Sequence, residues 1–266
     1  MKIVDCFTFY NELDLLTYRL NLLYEVVDYF IIVEAKYTFI GIEKILYYNE
    51  NKDKYKEFSD KIIHVIVNDM PYKYPNVNVN NNDVWNNEIH QRNAISHGIN
   101  NIKILSDSDV IIISDLDEIP DPRTLYKIKN GEIIVDINGL QMDLYYYNLN
   151  TRMCDKWRSS KILTYKKYVD LKMICNDIRK LNLPVINNGG WHLSYFGDKN
   201  FIKNKLENFS HQEFNNSEYT DLDKIEKRVQ NNVDLFNRNI KFEKLKIEDN
   251  NYLPLDYSKY LTKYYS

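Results

Sequence analysis

The sequence predicts an α/β protein built on a mostly parallel sheet, and two observations carry that prediction. Strand-length apolar runs alternate with amphipathic helical segments through the first half of the chain. Two of those runs, Phe30-Ile31-Ile32-Val33 and Val110-Ile111-Ile112-Ile113, are apolar throughout, as strands covered on both faces are. In such sheets ligands bind off the carboxyl ends of the strands.

Taken in order, Lys2 to Phe9 reads as the first strand. Asn11 then caps a helix, with Asp14 in its first turn facing the positive helix end. Leu13, Leu16, Leu20 and Leu23 recur at helical spacing and give that helix a buried face. Val26 to Glu34 is the second strand and Lys61 to Val67 the third. The Asn-rich stretch from Asn76 to Asp83 has no periodicity and reads as a surface loop. A helix from about Val84 to Gly98 follows, closed by its glycine. Val110 to Ser114 is a fourth strand, and it ends at Asp115-Leu116-Asp117-Glu118.

The second half changes character. Ile133 to Asp136, the tyrosine-rich Gly139 to Leu149, and Lys161 to Lys172 read as strands. Asn187-Asn188-Gly189-Gly190 is a turn signal placed just before Trp191-His192-Leu193-Ser194-Tyr195-Phe196. Phe201, Ile202, Leu206 and Phe209 fit one further helix, and Leu222, Ile225, Val229 and Val233 another. The aromatic tail from Leu253 to Ser266 is expected to pack across the domain. No internal repeat and no linker stands out, so residues 1–266 are expected to form one domain. Its halves are about 1–120, for nucleotide binding, and about 121–266, for a second substrate.

Bulk properties narrow the class. The 266 residues are 44% hydrophobic and 27% charged, ordinary values for a soluble globular protein. A formal net charge of -3 argues against bulk capture of nucleic acid, and none is expected as a partner. Cys6, Cys154 and Cys175 are scattered and odd in number, which suits reduced thiols in a cytoplasmic setting. No apolar run approaches a membrane span, and no charged-then-apolar leader precedes the first strand, so no anchor is expected in the chain. The 23 tyrosines have two readings: stacking surfaces for sugars, or the codon bias of an AT-rich genome.

The acidic cluster carries the chemistry. A DxD triplet alone is weak evidence, because such triplets also cap helices and end strands. An apolar strand running directly into Ser114-Asp115-Leu116-Asp117-Glu118-Ile119-Pro120 is more specific. Carboxylates there suit Mg²⁺ or Mn²⁺ bound jointly with substrate phosphates, and such a cation neutralises charge developing on a departing diphosphate. Asp115 and Asp117 alternate along an extended end, so they share a face only if the chain bends. Pro120 and Pro122 favour such a bend.

The run Asp-Leu-Asp-Glu-Ile-Pro also resembles the metal motif of glycosyltransferase family 17, which includes the transferase that adds bisecting GlcNAc to N-glycans. Asn11-Glu12-Leu13-Asp14-Leu15-Leu16 with Arg19-Leu20 is similar to that family's opening helix. Val26-Val27-Asp28 and Val33-Glu34-Ala35, with Thr38 and Gly41, are similar to its second strand and following loop. Gly190-Trp191-His192, with Lys205-Leu206, is similar to its C-terminal signature. The resemblance implies a GT-A fold, Rossmann-like in its first half, a UDP-sugar donor and inversion at the anomeric carbon. Two departures from the family's animal members stand out: no membrane anchor is expected in this chain, and Glu43 separates Ile42 from Lys44 where they have a proline-flanked basic residue.

With that resemblance in view, the candidate residues take roles. Asp117 is the first choice for metal ligation, and Asp115 is a second ligand or an acceptor for ribose hydroxyls. His192 completes the metal site from the second half. Glu118 either orients a ligand or lies on the surface, and Trp191 is either a wall against a sugar or core. Glu34 is placed to accept hydrogen bonds from the nucleoside. Lys44 and Arg92 offset diphosphate charge, although Arg92 could simply pair with Glu88 one turn earlier. Phe7, Thr8 and Asn11 border the nucleotide on the first loop. An inverting transfer needs a general base, and Glu213 and Asp143 are the two candidates, with Glu213 preferred.

The expected activity is therefore transfer of GlcNAc from UDP-GlcNAc to a saccharide or glycan hydroxyl. The alternatives are a metal-dependent nucleotidyltransferase, for which Phe7-Thr8-Phe9-Tyr10 offers no triphosphate loop, and a sugar-binding module without catalysis.

Overall fold

The computed structural model describes residues 1–265. The first half runs β1 (Ile3–Phe9), α1 (Leu13–Leu23), β2 (Tyr29–Ala35), α2 (Tyr47–Glu50), β3 (Ile62–Val67), α3 (Asp83–Asn93), α4 (Ile95–Asn100) and β4 (Val110–Asp115). There follow β5 (Glu118–Pro120), α5 (Pro122–Lys129), β6 (Ile137–Tyr146), β7 (Thr151–Met153), β8 (Lys161–Thr164), α6 (Tyr165–Leu171), α7 (Cys175–Lys180) and β9 (Val185–Ser194). The chain closes with α8 (Lys199–Asn208), α9 (Ser217–Thr220), α10 (Leu222–Asn231), β10 (Phe242–Lys244) and α11 (Tyr257–Tyr260).

The fold is α/β, as expected, but the ten-stranded sheet is mixed. β3, β2, β1 and β4 are parallel neighbours. Beyond β4 the sense changes: β8 is antiparallel to β4 and to β6, while β9 runs parallel to β6. β6 and β7 are antiparallel as well, and here connection length decides: only residues 147–150 separate them, enough for a hairpin but not for a parallel crossover.

Strand alternation distributes the core over both faces of the sheet. Ile3, Phe7, Phe30, Ile32, Val110 and Ile112 pack with α1, α5 and the C-terminal segment. Val4, Cys6, Ile31, Val33, Ile111 and Ile113 pack with α4 and α7. The tail does cross the fold: the Tyr18 hydroxyl donates to the Leu255 carbonyl, and the Tyr260 hydroxyl donates to Asn21.

Several local expectations are corrected. The second strand begins at Tyr29 rather than Val26, because residues 24–28 form a turn off α1. Asn11 does not cap α1; Glu12 precedes the helix, and no side chain caps it. The 84–98 helix is two helices meeting at Ala94, and Gly98 is not a terminator but a packing glycine in α4. An added Cβ there would lie 2.4 Å from the Ile31 side chain. Residues 133–136 are not a strand, and Ile134 is largely exposed. The 161–172 segment turns helical at Tyr165, where the Thr164 hydroxyl accepts the Lys167 amide and caps α6.

Asn187 to Gly190 is not a turn but an irregular stretch inside β9. Asn188 and Gly190 have φ of 51° and 140°, and the pairing with β6 slips between Leu140 and Met142. A bulge needs the same backbone freedom as a turn, so the local signal is shared. The glycine is required by proximity as well: a Cβ on Gly190 would sit 2.1 Å from the Ile119 carbonyl. This bulge sets the phase of Trp191 and His192 in the strand after it.

Candidate active site

β1 and β4 lie side by side, with Thr8 in register with Asp115 at their carboxyl ends. A cleft of about 490 Å³ opens off those ends. The parallel half of the sheet thus places the acidic cluster where ligands of open α/β sheets bind.

One side chain shapes the turn between β4 and β5. Arg19, fully buried on α1, donates from Nη1 to the carbonyls of Asp115, Leu116 and Glu118, each at 2.9 Å. Its Nη2 also reaches the Ser114 hydroxyl at 2.7 Å, and its other contacts are to the Asp5 carboxylate at 2.8 and 2.6 Å. The chain therefore bends at Leu116-Asp117, before Pro120, and both aspartates line the cleft despite their alternation.

Asp115 is held from three sides. Its Oδ1 accepts from the Thr8 hydroxyl at 3.1 Å and from Arg92 at 3.2 Å, and its Oδ2 accepts from Arg179 at 2.6 Å. Burial pushes this carboxyl up, but the two guanidinium groups outweigh it and bring the pKa down to about 2. Glu118 is fully buried beneath it and lies neither on the surface nor in the cleft. It accepts from the Asp115 amide at 3.0 Å, the Trp157 indole at 2.5 Å, the Ser160 hydroxyl at 2.6 Å and Arg179 Nη1 at 2.6 Å. It fixes the loop from within.

Asp117 faces different partners. Lys205 Nζ, from α8, lies 3.0 Å from its Oδ2, and His192 Nε2, from β9, lies 3.4 Å from its Oδ1. Burial disfavours its charge, yet Lys205 and His192 together hold its carboxyl far below the usual range. β5 pairs with β9 so that Glu118 stands opposite His192, which brings the imidazole to the aspartate. His192 also packs on Trp157, with ring centroids 4.6 Å apart, and its Nδ1 is buried without a hydrogen-bond partner.

The remaining candidates divide into those that reach the cleft and those that do not. Thr8, Lys44 and Arg92 line it. Arg92 does pair with Glu88 at 2.7 Å, and it also reaches Asp115 at 3.2 Å and Asn176 at 2.9 Å, so it is more than a helix-surface partner of Glu88. Phe7 does not border the cleft; it lies in the core, with the Arg19 guanidinium 4.3 Å from its ring centre. Asn11 lies beside the cleft, its Nδ2 contacting Asn204 at 3.3 Å. Glu34 is fully buried and accepts from the Tyr48 and Asn49 amides and from His64, so it anchors the start of α2 and does not line the cleft. Trp191 is core, and its indole donates to the Tyr252 carbonyl at 2.9 Å.

Neither nominated base lines the cleft. Asp143 is buried on β6 and paired with Arg152 and Lys156. Glu213 is exposed on the single turn Gln212–Phe214, bound to His211 at 2.8 Å. Three residues that the sequence reading left without a role matter more: Arg19, Arg179 and Glu88. Arg179 sits on six-residue α7, too short for a periodic signal, and only the tertiary fold carries it to Asp115.

Lys44 makes a pH-dependent contribution. It lies over the rings of Tyr10 and Tyr47, and burial lowers its pKa to about 8 against the pull of Glu34 and Glu12. Its charge is thus present below pH 8 and lost above it. An anion bound against this ammonium should lose about tenfold in affinity by pH 9, the cost of protonating such a group one unit above its pKa. Calorimetric titration of UDP between pH 6.5 and 9 checks this, and a Lys44→Arg variant should abolish that dependence.

A divalent cation is the cofactor that the acidic cluster implies. Among the described residues no group of three or more His, Cys, Asp or Glu side chains is gathered for one. Asp117 and His192 nevertheless fit as two ligands: a carboxylate and an imidazole in contact, the ring's Nδ1 being buried and free of other partners. Asp115 is already engaged by two arginines.

Residues 1–244 match the model of glycosyltransferase family 17. A search of curated proteins returns no match. Every residue lining the cleft falls inside the matched segment, so the match and the site describe the same part of the molecule. On that coverage the protein belongs to glycosyltransferase family 17.

Proposed function

We propose that this glycosyltransferase moves GlcNAc from UDP-GlcNAc onto a saccharide or glycan hydroxyl, with inversion, on a GT-A-type domain spanning residues 1–266. The observation that carries the reading is the meeting, in one cleft, of Asp115 and Asp117 from the first half with His192, Arg179 and Lys205 from the second. A nucleotide diphosphate needs such a surface: cations for its phosphates beside carboxylates for a metal.

In this reading Asp117 and His192 hold Mn²⁺ or Mg²⁺, which when bound supplies charge neutralisation for the departing UDP. Thr8, Lys44 and Arg92 lie along the same wall and orient the donor. Arg179 keeps Asp115 ionised and fixed, and Arg19 and Glu118 hold the backbone from which both aspartates project. The acceptor hydroxyl attacks from the face opposite the diphosphate. Two of the three free thiols, Cys6 and Cys175, are buried, which suits a reducing, cytoplasmic setting. No helix among the described residues is long and apolar enough to cross a membrane.

The test is a thermal-shift panel of UDP-sugars with and without Mn²⁺. A ligand at about 100 times its Kd adds roughly 2.7 kcal/mol, which for a chain of this size is roughly 5–10 °C in Tm. UDP-GlcNAc with Mn²⁺ should give the largest rise, above UDP-glucose and UDP-galactose. A flat response to every UDP-sugar would remove the reading, and stabilisation by glycans alone would favour a binding module.

A further inference from the structure

Transfer with inversion requires a group that takes the proton of the incoming hydroxyl, and the two carboxylates nominated from sequence both lie off the cleft. Four carboxylates line it among the described residues: Glu12, Glu88, Asp115 and Asp117. Asp115 is bound by Arg92, Arg179 and Thr8, and Asp117 by Lys205 and His192. Glu12 contacts Lys205 and the Asn11 amide, which places it with Asp117 in the charged part of the cleft.

Glu88 differs in where it stands. Its Oε1 accepts from Arg92 Nη2 at 2.7 Å, which ties it to the charged part through Asp115. Its Oε2 accepts the Ser210 hydroxyl, carried across from the second half. Next to Ser210, His211 packs edge-on against Trp85, one turn before Glu88, at 4.6 Å between ring centres. From there Phe214 and Phe236, 4.1 Å apart, continue the lining. Glu88 therefore sits at the junction of a charged region and an aromatic one, with Arg92 and Ser210 fixing its plane. Aromatic walls with few polar groups suit the apolar faces of a sugar ring.

We propose that Glu88 is the general base of the transfer, and that the aromatic stretch beyond it seats the acceptor sugar. This inference rests on the transferase reading above. The acceptor oxygen forms a bond to the anomeric carbon while its proton passes to the Glu88 carboxylate. The bond from the anomeric carbon to the phosphate oxygen breaks, and its electron pair leaves with UDP.

The experiment uses the full chain and UDP-GlcNAc with Mn²⁺, with water as the acceptor, and follows UDP release alongside donor binding. Glu88→Gln keeps the shape of the side chain and should slow release about 100-fold or more, with the Kd for UDP-GlcNAc unchanged. Glu88→Asp keeps the charge on a shorter stem and should fall between, again with normal donor binding; it decides the matter should the glutamine variant fail to fold. Release at the wild-type rate in Glu88→Gln, or loss of donor binding with an unchanged maximal rate, overturns the role of Glu88 and leaves the transferase reading standing. A wild-type protein that neither binds nor cleaves any UDP-sugar overturns both.

Discussion

Replacing Asp117 by alanine is expected to cut sugar transfer by roughly 10²–10³-fold or more, the scale on which removal of a single charge-stabilising group acts. The carboxylate is the meeting point of Lys205 and His192 and the proposed anchor of the cation. Without it the Lys205 ammonium keeps Glu12, at 3.5 Å, as its ion-pair partner among the described residues, and is free to swing to the phosphates or away from them. The loss should appear in kcat with UDP-GlcNAc, and excess Mn²⁺ should not restore it. Near-normal turnover in the variant would sink the assignment of this site. Because the folded state holds the Asp117 carboxyl well below its unfolded value, the wild type gains stability from this group above the unfolded pKa and loses it as pH falls. The variant's melting temperature should therefore differ from the wild type's at neutral pH and converge with it in acid.

The largest structural effect is expected at Arg19. Arg19→Met removes a fully buried guanidinium, leaving Asp5 as an unpaired carboxylate at 0% exposure and three backbone carbonyls without their donor. Breaking a buried pair from one side costs about 3–5 kcal/mol, which for a chain of this size corresponds to roughly 10 °C in Tm. Adding Asp5→Leu should recover part of that loss, since the orphaned charge disappears with it. The recovered protein should still transfer poorly, because nothing then holds the Asp115–Glu118 bend. Thermal melts of the two variants, followed by activity of the double variant, check both halves of this expectation.

Much of this was legible in the sequence, for identifiable reasons. β2 and β4 announce themselves because strands covered on both faces are written as apolar runs, and β1 and β3 follow as strand-length, largely apolar segments. The carboxylates at the end of β4 inherit their meaning from that placement. His192 was within reach through its surrounding segment. What local sequence hides is pairing over distance. Asp5 and Arg19 look like an ordinary strand residue and an ordinary helix residue until the sheet and α1 close on one another. Arg179 belongs to a short helix whose own pattern says nothing of Asp115. Glu88 could be seen as the helix partner of Arg92, but its contact to Ser210 spans 122 positions. The Asn187–Gly190 segment misled because positive φ is demanded equally by a turn and by a bulge. The mixed second half was missed for a related reason: strand direction depends on which partners a hairpin selects.

The tail has a consequence for how the molecule is made. α1 leaves the ribosome early, yet the Tyr18 hydroxyl finds the Leu255 carbonyl 237 positions later, and Lys263 pairs with Asp14 across 249. At about 5–20 residues per second, that flank waits on the order of 10–50 s for its cover. During synthesis one side of the first half is thus an exposed apolar surface, a natural stopping place for a chaperone. A chain cut at 244, the limit of the family match, would keep every cleft residue and never leave that stage.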